Sequence, residues 1–208
     1  MAWQLSLDLP LAVALGSEDF ILSDANRAAH RMVTAMGWPE GKLALTGPPG
    51  SGKSHLARLW QATSEAIVVE DIQRLSPAAE ETLFHLHNRL AASGGRLLLT
   101  ADRAPARLDI ALPDLASRLQ ATAVARIADP DDRLLRAVLA KHFADRQLVP
   151  MADVIPFLAA RIERSFSSAA AVVARLDRLA LAEARPVSRA LARRALGTSL
   201  DIPAGRAR

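Results

Sequence analysis

The spacing of hydrophobic positions changes once along this chain, near Asp129. Before that point short apolar runs alternate with longer amphipathic stretches. The runs at 42–46 (KLALT), 66–70 (AIVVE), 96–100 (RLLLT) and 122–127 (TAVARI) are too short for helices and too continuously apolar for half-exposed strands. They predict four buried strands. Between them lie helical patterns: one capped by Ser23 or Asp24 and closed before Gly37, one beginning at Lys53, and one from Pro77, just after Ser76, to Gly94-Gly95. Strands alternating with helices predict a parallel α/β sheet. After Asp129 no strand pattern remains, and helices are predicted at roughly 130–146, 153–163, 168–184 and 187–196.

One further alternation stands apart, at Gln4-Leu5-Ser6-Leu7-Asp8-Leu9, where the leucines share one face. Its period fits a first strand covered by the chain's own core and equally a peptide covered by a partner's groove. Half of the 208 residues are hydrophobic and 23% are charged, which predicts a globular fold. No apolar run reaches a membrane span, the start is not that of a signal peptide, and there is no cysteine, so the expected setting is the cytoplasm. The net charge of +4 is uneven: residues 1–150 hold 16 basic and 17 acidic side chains, residues 151–208 hold 10 and 5. A basic C-terminal quarter suits either a phosphate-binding surface or a solvated helical face. His85 and His87 point to different sides of one helix, and no metal site is expected from histidine.

Candidate chemistry concentrates between the first strand and the helix after it. Gly47-Pro48-Pro49-Gly50-Ser51-Gly52-Lys53-Ser54, followed by His55, has the G-x-x-x-x-G-K-[ST] spacing in the strand–loop–helix setting that the pattern requires. Glycines let backbone N–H groups approach phosphate oxygens closely, and the helix N-terminus adds a favourable dipole. Lys53 is then the candidate for neutralising the β and γ phosphates, and Ser54 for ligating Mg2+. A second acidic site should follow a neighbouring strand, and Glu70-Asp71 stands there: Glu70 for the metal shell, Asp71 for polarising water.

Taken together, FILSDANRAAH, LALTGPPGSGKSHL, EDIQRL, LLLTADRAP and PDLASRL resemble, in this order, the ATPase domain of the bacterial replication initiator DnaA and its shorter relative Hda, over residues 20–185. The resemblance implies an AAA+ fold: a P-loop α/β domain and a C-terminal helical lid, binding ADP or ATP with Mg2+ at their junction; the four apolar runs give its parallel sheet four strands. It divides the chain into a docking segment at 1–19, the α/β domain at 20–146, the lid at 147–197 and a tail at 198–208. By position, Asp102 matches the sensor 1 region near the γ phosphate. Arg118 matches the arginine finger, which reaches a nucleotide held by a neighbouring subunit. Read without the resemblance, Arg118 is a surface charge on a helix. Gln4, Leu5, Leu7 and Leu9 resemble the Hda motif that docks on the polymerase sliding clamp.

Three departures from that family stand out. Ser167 and Ser168 fall where the lid arginine called sensor 2 belongs, with Arg164 one helical turn away as a candidate substitute. Glu70 replaces a more usual Asp. The interval between Ser54 and Ala66 has room for a helix and a turn but not for the additional strand and helix of the family, so the far edge strand is expected to be missing. About a dozen residues follow the last predicted helix, too few for the helix-turn-helix with which DnaA reads DNA. The expected function is therefore that of a clamp-docked regulator that stimulates hydrolysis of DnaA-bound ATP. DNA is expected as an indirect or weak partner, a second copy of the chain as a candidate partner, and intrinsic hydrolysis as slow. The competing reading is a DNA-associated motor or loader that hydrolyses its own ATP.

Overall fold

A computed structural model describes residues 20–35 and 37–197; the Gln4–Leu9 alternation and the tail from residue 198 lie outside the described residues. The predicted strands form as β1 (Lys42–Thr46), β2 (Ala66–Val69), β3 (Arg96–Ala101) and β4 (Ala123–Arg126). They make one four-stranded parallel sheet in the order β2-β3-β1-β4. Residues of β1 alternate between two cores. Leu43 and Leu45 face helices α1 (Asp24–Thr34) and α2 (Lys53–Gln61), together with Leu98 of β3. Ala44 faces the opposite side with Leu97, Leu99 and Ala101, where α3 (Pro77–Ser93) and α4 (Pro113–Gln120) pack through Leu83, Leu90, Leu115 and Leu119. Covered on both faces, β1 has no exposed position, which is why its sequence reads as one apolar run.

Local signals set the helix ends. Ser23 caps α1 in a reciprocal capping box with Asn26, Ser76 caps α3 with Pro77 in the first turn, and Gly94 ends α3 in the left-handed conformation. The end of α2 is pinned to the sheet by Trp60, which packs on Trp38 with ring centroids 4.4 Å apart while the Arg96 guanidinium lies 4.6 and 4.8 Å from the two rings.

The helical part comprises α5 (Asp132–Asp145), α6 (Val154–Ala159), α7 (Phe166–Glu183) and α8 (Arg189–Gly197). Leu135, Leu139 and Phe143 of α5 share one core with Val154 and Leu158 of α6, Val172, Val173 and Leu176 of α7 and Leu191 of α8, so α5 packs as part of the helical unit. None of the described helices is long and apolar enough to cross a membrane.

Candidate functional site

All four strands run in the same direction, so their C-terminal ends open on one edge of the sheet, the position at which open α/β sheets bind ligands. β1 delivers the glycine-rich loop there. Gly50 and Gly52 adopt φ of +77° and +87°, a region a Cβ makes costly, and Gly52 serves as the N-cap of α2. The turn lets the loop wrap closely around a space filled by its own lysine. Lys53 Nζ donates to the carbonyl oxygens of Gly47 at 2.8 Å and Pro48 at 3.1 Å. Burial pushes the pKa of this ammonium down, with Asp71 and Asp102 acting in the opposite direction. The Ser51 hydroxyl is buried without a hydrogen-bond partner, leaving a donor inside the loop for an incoming oxygen.

β2 ends at Val69, and Glu70 leaves the strand to accept a hydrogen bond from the Ser54 hydroxyl, with Arg58 Nε 3.9 Å from its other oxygen. Asp71 takes a left-handed conformation, φ +54°, its N–H donating to Thr100 Oγ1 on β3 and its Oδ1 accepting from the Gln73 amide at 3.1 Å. Asp102 follows β3, but its carboxylate is engaged twice by Arg103, at 2.8 and 2.9 Å, which holds its pKa below the usual carboxylate range. A cavity of about 360 Å³ joins these pieces, lined by Pro49 to His55 of the loop with Asp71, Gln73, Arg74 and Asp102. Glu70 reaches it only through Ser54. Among the described residues no cluster of three acids or histidines could hold a metal alone. A hydroxyl beside a carboxylate nevertheless fits Mg2+, which is commonly held by one or two carboxylates together with substrate phosphates.

A second cavity, an open cleft of about 750 Å³, adjoins the loop at Gly50–Gly52 and His55 and is lined on its other side by the helical part. Phe20 stands at one wall, stacked on His30 and edge-on to His55. Phe166 of α7 stands at another, its Cβ 3.2 Å from where a Cβ on Gly50 would lie. The two phenylalanines supply apolar walls suited to a flat ring beside the phosphate loop. Leu134, Val138, Lys141, His142 and Asp145 face the cavity from α5 and Ala174, Asp177 and Arg178 from α7, with Arg146 after α5 within 3.9 Å of Asp177.

The loop residues, Asp71 and Asp102 are therefore brought together, whereas Arg118 is not. It sits exposed on α4 with its guanidinium 5.3 Å from the ring centroid of Phe84 on α3, and lines neither cavity. The candidate substitute for the lid arginine is also elsewhere: Arg164 pairs with Asp132 at 2.9 Å, and Ser168 is turned to Ser165. The cationic groups of the helical part at the cavity are Lys141, Arg146 and Arg178 instead. Of these, Lys141 alone had a sequence signal, the spacing of Leu134, Val138, Lys141, His142 and Asp145 on one face of α5.

Comparison with known proteins agrees with this geometry. Residues 57–126 match the family model described as the bacterial DnaA ATPase domain. The chain is 25% identical over 221 aligned positions to the chromosomal replication initiator protein DnaA of Cutibacterium acnes, covering 84% of this chain and 44% of that protein. It is 31% identical over 140 positions to that of Thermomicrobium roseum, covering 64% and 29%. The chain thus spans less than half the length of these relatives. Its fold is similar to that of domain III of DnaA from Thermotoga maritima, with a TM-score of 0.71, 19% identity and coverage of 90% of this chain and 98% of that one. AMPPCP-bound DnaA from Aquifex aeolicus aligns with a TM-score of 0.56 and 19% identity over 71% of this chain and 59% of that one. The likeness to these structures is one of fold.

Proposed function

We propose that this chain is an adenine-nucleotide-binding regulator of chromosome replication that docks on the polymerase sliding clamp and stimulates hydrolysis of ATP bound to DnaA. The observation that carries the proposal is the placement of Arg118, exposed and outside both cavities of its own cleft, which leaves its guanidinium accessible to another molecule. A guanidinium delivered to a partner's γ phosphate stabilises charge that develops in the transition state and is worth about 10³–10⁵ in rate. In the chain's own cleft ADP or ATP would rest its phosphates on Gly47–Ser54 with Lys53 as their counter-charge, Ser54 and Glu70 would hold Mg2+, and Phe20 and Phe166 would offer apolar surface to the base. AMPPCP in the Aquifex relative supports an adenine nucleotide as the ligand. Gln4, Leu5, Leu7 and Leu9 provide the clamp contact, and DNA enters indirectly through the clamp.

The test is hydrolysis of DnaA-bound ATP with and without DNA-loaded clamp. Arg118→Ala should abolish stimulation while retaining nucleotide and clamp binding, and Gln4→Ala should abolish clamp binding and with it the stimulation that clamp adds. Stimulation that survives Arg118→Ala removes the finger from the reading. A motor or loader hydrolysing its own ATP is the second reading, supported by the convergence of Lys53, Asp71 and Asp102 on one cavity. Substantial intrinsic turnover, lost in Asp71→Asn, would favour it.

A further inference from the structure

Helix α4 begins without a capping side chain of its own: its N-cap is Leu112, and no side-chain cap bond is made there. The two residues that lead into it are held from α3 instead. The Glu80 carboxylate, 4% exposed, accepts the backbone N–H of Ala111 at 3.3 Å and of Leu112 at 2.9 Å. A carboxylate at a helix start is favoured by the helix dipole, and buried bonds to a charged acceptor are among the stronger ones. One turn further along α3, Phe84 lies under the Arg118 guanidinium. A further turn on, His87 is buried with its Nδ1 unpartnered. Glu80, Phe84 and His87 stand at i, i+4 and i+7 and form one stripe of α3. The two anchor points occur in the same order along both helices, so α3 holds α4 at its start and at its finger.

We infer that Glu80 and Phe84 are positioning residues for Arg118, fixing the helix that carries it and the direction of its guanidinium before any partner arrives. The inference rests on the finger reading of Arg118. An arginine free to rotate loses rotamer entropy whenever it is fixed at a phosphate, and a flat ring beneath the guanidinium meets part of that cost in advance. Neutral His87 belongs to the same arrangement, since a protonated imidazole next to Arg118 would repel it. Lys42 and Glu40 are the other charges facing His87.

The experiment is a double-mutant cycle on stimulated hydrolysis of partner-bound ATP, measured to saturation in the full chain. Phe84→Leu should lower the maximal stimulated rate about 2–5-fold with the half-saturating concentration unchanged, and Phe84→Tyr, which keeps the ring, should restore it. Glu80→Gln, isosteric and uncharged, should cost about 10-fold in the same parameter. In an Arg118→Lys background, which keeps a residual stimulated rate to measure, both changes should cost less than in the native chain, because both act through the guanidinium. An unaltered maximal rate in Phe84→Leu and Glu80→Gln, with stimulation abolished by Arg118→Ala, overturns the positioning role alone. An undiminished loss in the Arg118→Lys background also overturns it. If Arg118→Ala leaves stimulation intact, the finger reading falls and this inference falls with it.

Discussion

Replacing Lys53 by Met separates what the glycine-rich loop needs to fold from what it needs to bind. Lys53 is 8% exposed, and its Nζ closes its own loop by donating to the carbonyls of Gly47 and Pro48. Each such bond from a charged donor is worth about 1.5–3 kcal/mol. Against this stands the cost of removing the ammonium from water, the largest cause of its lowered pKa. Met keeps the stem and removes both the bonds and the desolvated charge. The two changes offset, and the ligand-free protein should lose no more than about 1–2 kcal/mol, or about 2–8 °C in Tm for a domain of this size. Binding is different, because nothing in Met replaces the cation at the phosphates, and affinity should fall about 100-fold, or about 2.7 kcal/mol. With Mg-ATP at about 100 times the native Kd, ligand stabilises the native chain by about 2.7 kcal/mol and the variant by only about 0.4 kcal/mol. Scanning calorimetry with and without Mg-ATP reads both numbers: a shift of about 5–11 °C in the native chain and of about 1–2 °C in Lys53→Met. A full ligand-induced shift in the variant would place the phosphates away from Lys53. A ligand-free Tm lowered by more than about 15 °C would show that the lysine is first a structural latch, contrary to the offset argued above.

Gly52→Ala places a Cβ at φ +87°, where the nearest side-chain atom is Phe20 Cε2 at an ordinary 3.4 Å, so its cost comes from the backbone and not from a clash. That cost is about 1–2 kcal/mol, which should lower Tm by about 2–8 °C and weaken nucleotide binding; unchanged melting and binding would mean that the loop does not need this conformation. His87 predicts a pH effect. Burial pushes its pKa down to about 4, helped by Lys42 and Arg118 and opposed by Glu40. The unfolded chain, titrating near 6.5, takes up a proton that the folded chain refuses, so stability is full above that value and falls as pH drops towards 4. By pH 4.5 the loss from this residue is about 2.5 kcal/mol. Urea unfolding of the native chain and His87→Asn at pH 7 and 4.5 checks it, since groups common to both proteins cancel, and equal losses in the two would exclude His87 as the source.

The sheet was legible in the sequence because its central strands are covered on both faces. β1 ends at Thr46 as its apolar run does, and the glycines beyond leave no other reading. Strand ends were less legible wherever a side chain takes up chemistry: β2 stops at Val69 because Glu70 turns to Ser54, and β3 continues through Ala101 because its partner strand β1 extends to Thr46. Within the cleft, residues adjacent in sequence were found by spacing, while residues assembled by helix packing were not. The sequence puts the sensor 2 position near Ser167 and Ser168, yet the cations at the larger cavity come from the far end of α5 and from α7. Which face of a lid helix meets the cleft depends on how α5 crosses α7, and sequence period fixes a stripe but not the partner it faces.

The link between α3 and α4 shows the same limit in its sharpest form. Glu80 read from sequence is one acid in the first turn of a helix, with the solvated role such residues commonly have. In the fold it is nearly fully buried, its partners are backbone N–H groups 31 and 32 residues away, and neither of them carries any sequence signal. A residue whose role is to accept from main chain cannot be recognised by the identity of its partner. What marks it is a carboxylate that remains buried with no cation paired to it, because burying a charge is costly unless donors replace the lost water. Applied along α3, that criterion separates Glu80, which the structure buries, from its neighbour Glu81, which it leaves exposed. It makes Glu80 and not Glu81 the acid whose loss should be felt at Arg118.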